Sequence, residues 1–145
     1  MRIFFIRDDD SNISSAHMHV MVGSIENPER FDGMAHYLEH MLFMGSDEYR
    51  GSTFFQNQVA GRGGMTNAFT TDVSTQYFFN VSDDFLTVLH MFSRFFVAPI
   101  FDVKYVEKEV SAVDSEHNKN IGSDGWRLMN VAKNFFTDPV NTRFT

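Results

Sequence analysis

Two histidines and a glutamate lie close together in the segment HYLEHMLFMG, residues 36–45. His36, Glu39 and His40 have the spacing of residues that share one face of an α-helix. The two imidazoles could therefore bind one metal ion such as zinc, which accepts nitrogen ligands. The Glu39 carboxylate would lie beside the ion, where it could act as a general base towards water. The segment predicts metal-dependent hydrolysis, and two unrelated histidines on a core helix are the alternative.

The motif H-x-x-E-H arises by chance in about one chain in a hundred of this length and composition. A catalytic zinc ion usually has three protein ligands and one open position, so a third ligand must come from another element. Residues 106–120, VEKEVSAVDSEHNKN, offer five candidates: Glu107, Glu109, Asp114, Glu116 and His117. Glu109 and Glu116 are two helical turns apart and share a face, so one could bind metal while the other supports a histidine. A solvated acidic helix is the alternative here.

The composition excludes several classes of function. The formal net charge of the 145 residues is -7, which argues against a nucleic-acid partner because phosphates require a basic face. The absence of cysteine excludes disulfides, thiolate metal sites and thiol nucleophiles, so a metal must be held by His, Asp or Glu. No apolar run is long enough for a signal peptide or a membrane helix. A cytoplasmic protein without a membrane partner is the expectation.

The elements that must position these side chains follow from the hydropathy pattern. Residues 1–7 and 16–24 are predicted to be strands, and residues 34–44 a helix that Gly45 stops. A short helix over 53–60 and two strands that turn near Thr71–Asp72 come next. Three more helices are predicted, with Asp83 or Asp84, Asp102 and Asp124 at their starts and Phe96, Asn120 and Phe136 at their ends, the last closed by Asp138–Pro139. This order predicts an α+β fold with helices packed on an antiparallel sheet.

Two further patterns concern packing. His17 and His19 share one face of a predicted strand, and a solvated strand face is favoured over a metal site there. An apolar stripe of Val106, Val110 and Val113 is predicted to anchor the helix of residues 106–120 to the core. The 17 phenylalanines include several adjacent pairs, which indicate either one thick core or elements covered on two sides by a layer absent from this chain.

Three blocks of the sequence resemble the M16 metallopeptidases, the inverzincins, and most closely the branch of insulysin, pitrilysin and nardilysin. The blocks are HYLEHMLFMGSDEY, then GGMTNAFTT followed by STQYFFNV, and then EKEVSAVDSEHNKN with SDGWRL. The resemblance implies a zinc metalloendopeptidase with an incomplete processing-peptidase-like domain. By motif position it implies His36, His40 and Glu116 as zinc ligands, Glu39 as the general base and Glu109 as the carboxylate that supports the ligands.

The same resemblance implies how a peptide substrate would bind. Phe43 would line the pocket beside the cleaved bond, and the backbone at Asn67 and Ala68 would pair with an extended peptide. A related motif occurs in quorum-signal lyases, in which a cysteine completes the metal site. The lack of cysteine argues against that alternative here.

The resemblance covers nearly all of residues 1–145 but only the middle of the family's first domain. It therefore implies a single partial N-terminal catalytic domain. In the insulysin branch four such domains form two halves around a closed chamber, and a tyrosine and an arginine of the second half have no counterpart here. The expected partners are peptide substrates and a missing C-terminal half or partner subunit. The alternative is a non-catalytic M16-like subunit, or a truncated fragment, that keeps the fold and the metal site.

Overall fold

The computed structural model describes residues 1–136 and assigns three strands, five α-helices and a short 3-10 helix to them. In chain order they are β1 Ser14–Val20, the 3-10 helix Ser24–Glu26, α1 Met34–Leu42, α2 Phe54–Ala60, β2 Met65–Thr70, β3 Thr75–Val81, α3 Phe85–Val97, α4 Val103–Ile121 and α5 Asp124–Phe136. The predicted α+β class is confirmed. No helix within residues 1–136 is long and apolar enough to cross a membrane.

The sheet has the strand order β1-β3-β2, and both pairings are antiparallel. The predicted turn between β2 and β3 is present, because the N–H of Thr71 donates to the carbonyl of Ser74 at 2.7 Å. One face of the sheet is covered by helices, and β3 buries Tyr77 and Phe79 there. The other face is open and carries His17 and His19, so the predicted solvated strand face is confirmed.

An aromatic core fills the space between the sheet and helices α2 and α3. Phe55, Phe79, Phe92 and Phe95 are each at most 4% exposed. Their rings contact edge to face, with centroids 4.8 Å apart for Phe55 and Phe95 and 5.2 Å apart for Phe79 and Phe92. In each of these elements the other phenylalanine of the adjacent pair is only half-buried: Phe54, Phe78 and Phe96. Burial against this core fixes β3, α2 and α3, which together support α1.

The predicted N-terminal strand is wrong. Residues 1–7 form no strand, and Phe4 and Phe5 are 89% and 87% exposed. A strand requires a neighbour to satisfy its backbone, and none of the described residues pairs with this segment. The predicted end of α1 is also displaced, since the helix ends at Leu42 and a tighter turn joins Met41 to Met44 before Gly45.

Helix α4 begins as predicted, because the Asp102 carboxylate accepts a hydrogen bond from the backbone N–H of Lys104. The predicted apolar stripe on this helix is only partly present, since Val106 and Val113 are half-buried whereas Val110 is 53% exposed. Its one buried residue is Glu109. Polar contacts of Tyr37 and His40 to α4 therefore add to this partial apolar packing. The predicted closure of α5 at Asp138–Pro139 lies outside the described residues.

Candidate metal centre

Three side chains converge where α1 crosses α4. The ligand atoms of His36, His40 and Glu116 all lie within 4.8 Å of one another. Oε2 of Glu116 is 3.7 Å from Nε2 of His36 and 3.7 Å from Nε2 of His40. Ligands at about 2.0–2.1 Å from a tetrahedral zinc ion are separated by roughly 3.3 Å. Glu116 thus lies close to the spacing that zinc requires from each of the two histidines, and two imidazoles with a carboxylate are a donor set that zinc accepts.

A hydrogen bond joins the two helices beside this cluster. The Tyr37 hydroxyl donates to the carbonyl of Val106 at 3.2 Å. Burial raises the pKa of Tyr37, and the nearby charge of Glu109 raises it further, so the hydroxyl keeps its proton for this bond. The spacing of His36 and His40 on α1 places their rings with centroids 4.9 Å apart and nearly perpendicular. Both Nε2 atoms thereby reach the same carboxylate on α4.

Glu109 contacts His40 at Nδ1, the ring nitrogen that does not face Glu116. Its Oε2 lies 3.2 Å from Nδ1 of His40, and its side chain is buried. An ionised carboxylate only accepts, so Nδ1 of His40 is the donor in this contact. In the neutral imidazole, Nε2 is then the nitrogen that could bind a metal ion. This arrangement fixes the tautomer and the ring orientation of a metal-binding histidine. Glu116 differs from Glu109 because its side chain is 47% exposed.

Glu39 lies beside the cluster and is 6% exposed. Its Oε2 accepts a hydrogen bond of 2.6 Å from the hydroxyl of Thr70 on β2. Burial raises the pKa of Glu39, and Glu116 adds to the rise, while Thr70 and the two histidines oppose it. A carboxyl group that has a raised pKa and lies next to three potential metal ligands is suited to take up and release a proton.

A cavity of about 320 Å³ opens beside Glu39 and His40. The other residues around it are Phe43, Met44, Gln56, Thr66, Asn67 and Ala68. All three residues that the resemblance connects with substrate therefore border this cavity. Strand β2 forms its wall and is an edge strand of the sheet. The backbone N–H of Ala68 donates to Oδ1 of Asn67 at 2.9 Å.

Thr70 is a site residue that was not predicted from the sequence. Its signal was present, because residues 66, 68 and 70 of β2 alternate towards the helix-covered face of the sheet. The spacing of residues 106–120 alone leaves five candidates for the third metal ligand. The structure brings Glu116 to the two histidines, whereas the metal-type cluster found among the described residues does not include Glu107, Asp114 or His117.

Comparison with known proteins identifies the class to which this fold and site belong. Residues 2–138 match the family described as Insulinase (Peptidase family M16). The chain therefore belongs to peptidase family M16, and the resemblance seen in its three sequence blocks is confirmed.

The relatives are much longer than this chain. Insulin-degrading enzyme from Homo sapiens is 38% identical over 134 residues, which are 92% of this chain and 13% of the relative. A relative from Schizosaccharomyces pombe, whose name contains the words zinc protease, is 38% identical over 129 residues, or 88% of this chain and 13% of its own length. The crystal structure of pitrilysin superposes with a TM-score of 0.81 at 34% identity, covering 87% of this chain and 14% of pitrilysin.

Proposed function

We propose that this chain contributes the zinc-binding and proton-transferring side of a metalloendopeptidase site. The observation that carries the proposal is the convergence of the His36, His40 and Glu116 ligand atoms next to a buried carboxylate. His36, His40 and Glu116 would hold the zinc ion, and Glu109 would orient His40 through Nδ1. When bound, zinc acidifies a water molecule and polarises the carbonyl group of a peptide bond.

Glu39 is the proton carrier in this proposal. It accepts a proton from the water whose oxygen forms a bond to the carbonyl carbon. It then delivers that proton to the amine nitrogen as the C–N bond breaks. The raised pKa of Glu39 supports this role, because the carboxyl group must hold the proton between the two transfers. Its position beside the cavity supports access to water.

The cavity and the edge strand β2 support peptide recognition. An extended peptide can add to the free edge of a sheet through main-chain hydrogen bonds. The backbone at Asn67 and Ala68 lies on β2 and borders the cavity, so it would supply those bonds. The Asn67 side chain would have to release the N–H of Ala68 when a peptide takes that place. Phe43 would pack against a side chain next to the cleaved bond.

Efficient turnover in this proposal requires groups beyond those described here. The described residues that line the cavity include no lysine, arginine or tyrosine that could stabilise a developing oxyanion. Removal of one such donor typically slows an enzyme by about 10²–10³. The chain spans only 13% of the human relative, which leaves room for these groups in a second half or a partner subunit. We therefore expect slow cleavage by this chain alone.

Hydrolysis of an internally quenched peptide by the zinc-loaded chain tests this function, alone and mixed with a separately produced remainder of pitrilysin. We expect Glu39→Gln to retain zinc and to lose about 10²–10⁴ in rate, because an amide cannot accept the proton of water. Glu107→Gln is the matched control, since Glu107 is exposed on α4 and does not border the cavity. Normal turnover by Glu39→Gln would remove it from the base role. Absence of cleavage both by the chain alone and in the mixture would favour the non-catalytic M16-like subunit.

A further inference from the structure

Glu39 is connected to the sheet as well as to its own helix. Its Oε2 accepts from the Thr70 hydroxyl on β2 at 2.6 Å. The hydroxyl of Thr75, the residue paired with Thr70 across the β2–β3 ladder, lies 3.3 Å from that of Thr70. Thr75 is 5% exposed and donates to the carbonyl of Val22 at 2.9 Å. A chain of oxygens thus runs from the segment after β1, through β3 and β2, to the carboxylate on α1.

The distances indicate which hydroxyl donates its proton in each hydrogen bond of this series of oxygens. Each hydroxyl has one proton to donate. Thr75 commits its proton to Val22, and the shorter contact of Thr70 is to Glu39, so Thr70 donates to the carboxylate. Within the described residues Oε1 of Glu39 has no hydrogen-bond partner, and this residue borders the cavity. Among the described residues, Oε2 of the carboxylate is therefore held by a hydrogen bond, whereas Oε1 is not.

We propose that Thr70 is a positioning residue for Glu39: its hydroxyl fixes Oε2 so that Oε1 remains the oxygen that exchanges a proton with water. This inference rests on the proposed base role of Glu39. The competing explanation is that Thr70 only satisfies a buried polar atom, which every buried carboxylate requires. The two explanations differ in catalysis: positioning predicts that loss of the hydroxyl lowers kcat with KM and zinc affinity unchanged, whereas satisfaction of a polar atom alone predicts a loss of stability without that loss of kcat.

Thr70→Val keeps the shape of the side chain and removes the hydroxyl, whereas Thr70→Ser keeps the hydroxyl. Thr71→Val is the control, because the Thr71 hydroxyl contacts only residues 73 and 74 in the turn. The first readout needs neither zinc nor hydrolysis. It is the side-chain carboxylate ¹³C resonance of Glu39 in glutamate-labelled chain at one fixed pH, identified by its loss in Glu39→Gln. We expect Thr70→Val to move this resonance, and Thr70→Ser and Thr71→Val to leave it in place.

The unsubstituted chain provides a test that does not depend on the folding of Thr70→Val. A hydroxyl proton held in a short bond to a buried carboxylate exchanges slowly enough to be observed by NMR. We expect a Thr70 hydroxyl proton in the unsubstituted chain and its loss in Glu39→Ala. The absence of that proton in the unsubstituted chain, or an unchanged Glu39 resonance in folded Thr70→Val, would overturn the inference.

Peptide hydrolysis in the mixture with the pitrilysin remainder gives the second readout. We expect Thr70→Val to lower kcat about 10–100-fold with KM and zinc affinity unchanged, as for other residues that orient a functional group. Thr70→Ser should recover most of that loss, and equal losses in both variants would overturn the positioning role. Full activity of Glu39→Gln would refute the proposed function, even where the NMR signature of the Thr70 bond persists. Missing NMR signatures together with an inactive Glu39→Gln would refute this inference alone.

Discussion

The aromatic core under the sheet and the crossing of α1 with α4 are built in opposite ways. The core rests on large apolar side chains such as Phe79 and Phe92, which are almost completely buried. At the crossing, the one buried residue of α4 is Glu109, while Val106 and Val113 are half-buried and Val110 is exposed. Burial of apolar area supplies most of the stability of a fold, whereas hydrogen bonds supply direction. The comparison teaches that the core holds the chain together, while polar contacts between helices set the position of Glu116.

The largest expected effect is a loss of stability when the aromatic core is disrupted. Phe92→Ala should lower the free energy of unfolding by about 3–5 kcal/mol, because it removes a ring that packs against Phe79 and Phe55. Urea denaturation measures this loss. Phe31→Ala is the control, since Phe31 is 59% exposed and its removal should change stability by no more than about 0.5 kcal/mol. Equal losses in the two variants would show that the ring cluster does not dominate stability.

A smaller effect is expected at the crossing of α1 and α4, where a substitution should change the affinity for zinc and not the folding of the chain. Glu109→Ala should weaken zinc binding about 10–100-fold, because Nδ1 of His40 loses the acceptor that orients the ring. Competition with a chromophoric chelator measures the affinity. Glu107→Ala changes the same residue type on an exposed part of α4 and should bind zinc like the unsubstituted chain. A similar affinity in both variants would separate Glu109 from the metal centre.

The smallest effect concerns the hydrogen bond that joins α1 to α4 through Tyr37. Tyr37→Phe removes the hydroxyl that donates to the Val106 carbonyl at 3.2 Å. We expect the free energy of unfolding to fall by about 0.5–1.5 kcal/mol, which is the usual net contribution of one hydrogen bond. Amide hydrogen exchange should become faster in α4 and stay unchanged in β3. Uniform acceleration in both elements would mean that this bond supports the whole fold and not the crossing.

The sequence predicted the parts of the structure that depend on local periodicity. The helical spacing of His36, Glu39 and His40 was readable, as was the common face of Glu109 and Glu116, because α-helix geometry fixes both. The hairpin of β2 and β3 was readable from its β-branched and aromatic runs and from its turn. The roles assigned to these site residues remain proposals.

The failures of the sequence analysis have a common cause. The contact of Thr70 with Glu39 joins residues 31 positions apart, and only the packing of α1 over the sheet brings them together. Residues 1–7 have an apolar pattern typical of a strand, but a strand also needs a partner that a local pattern does not specify. Val110 fits an apolar stripe by spacing, yet α4 meets α1 through polar groups. Tertiary neighbours decided each of these outcomes.

The zinc content and zinc affinity of the Glu116→Ala variant test the central claim most directly. His117→Ala is the matched control, because His117 is the adjacent exposed residue and does not belong to the cluster of metal-type donors found among the described residues. The account predicts one zinc per chain in the unsubstituted protein and in His117→Ala, and a large loss of zinc from Glu116→Ala. Full zinc occupancy with unchanged affinity in Glu116→Ala would contradict it and would move the third ligand to another residue, with Glu109 the first to examine.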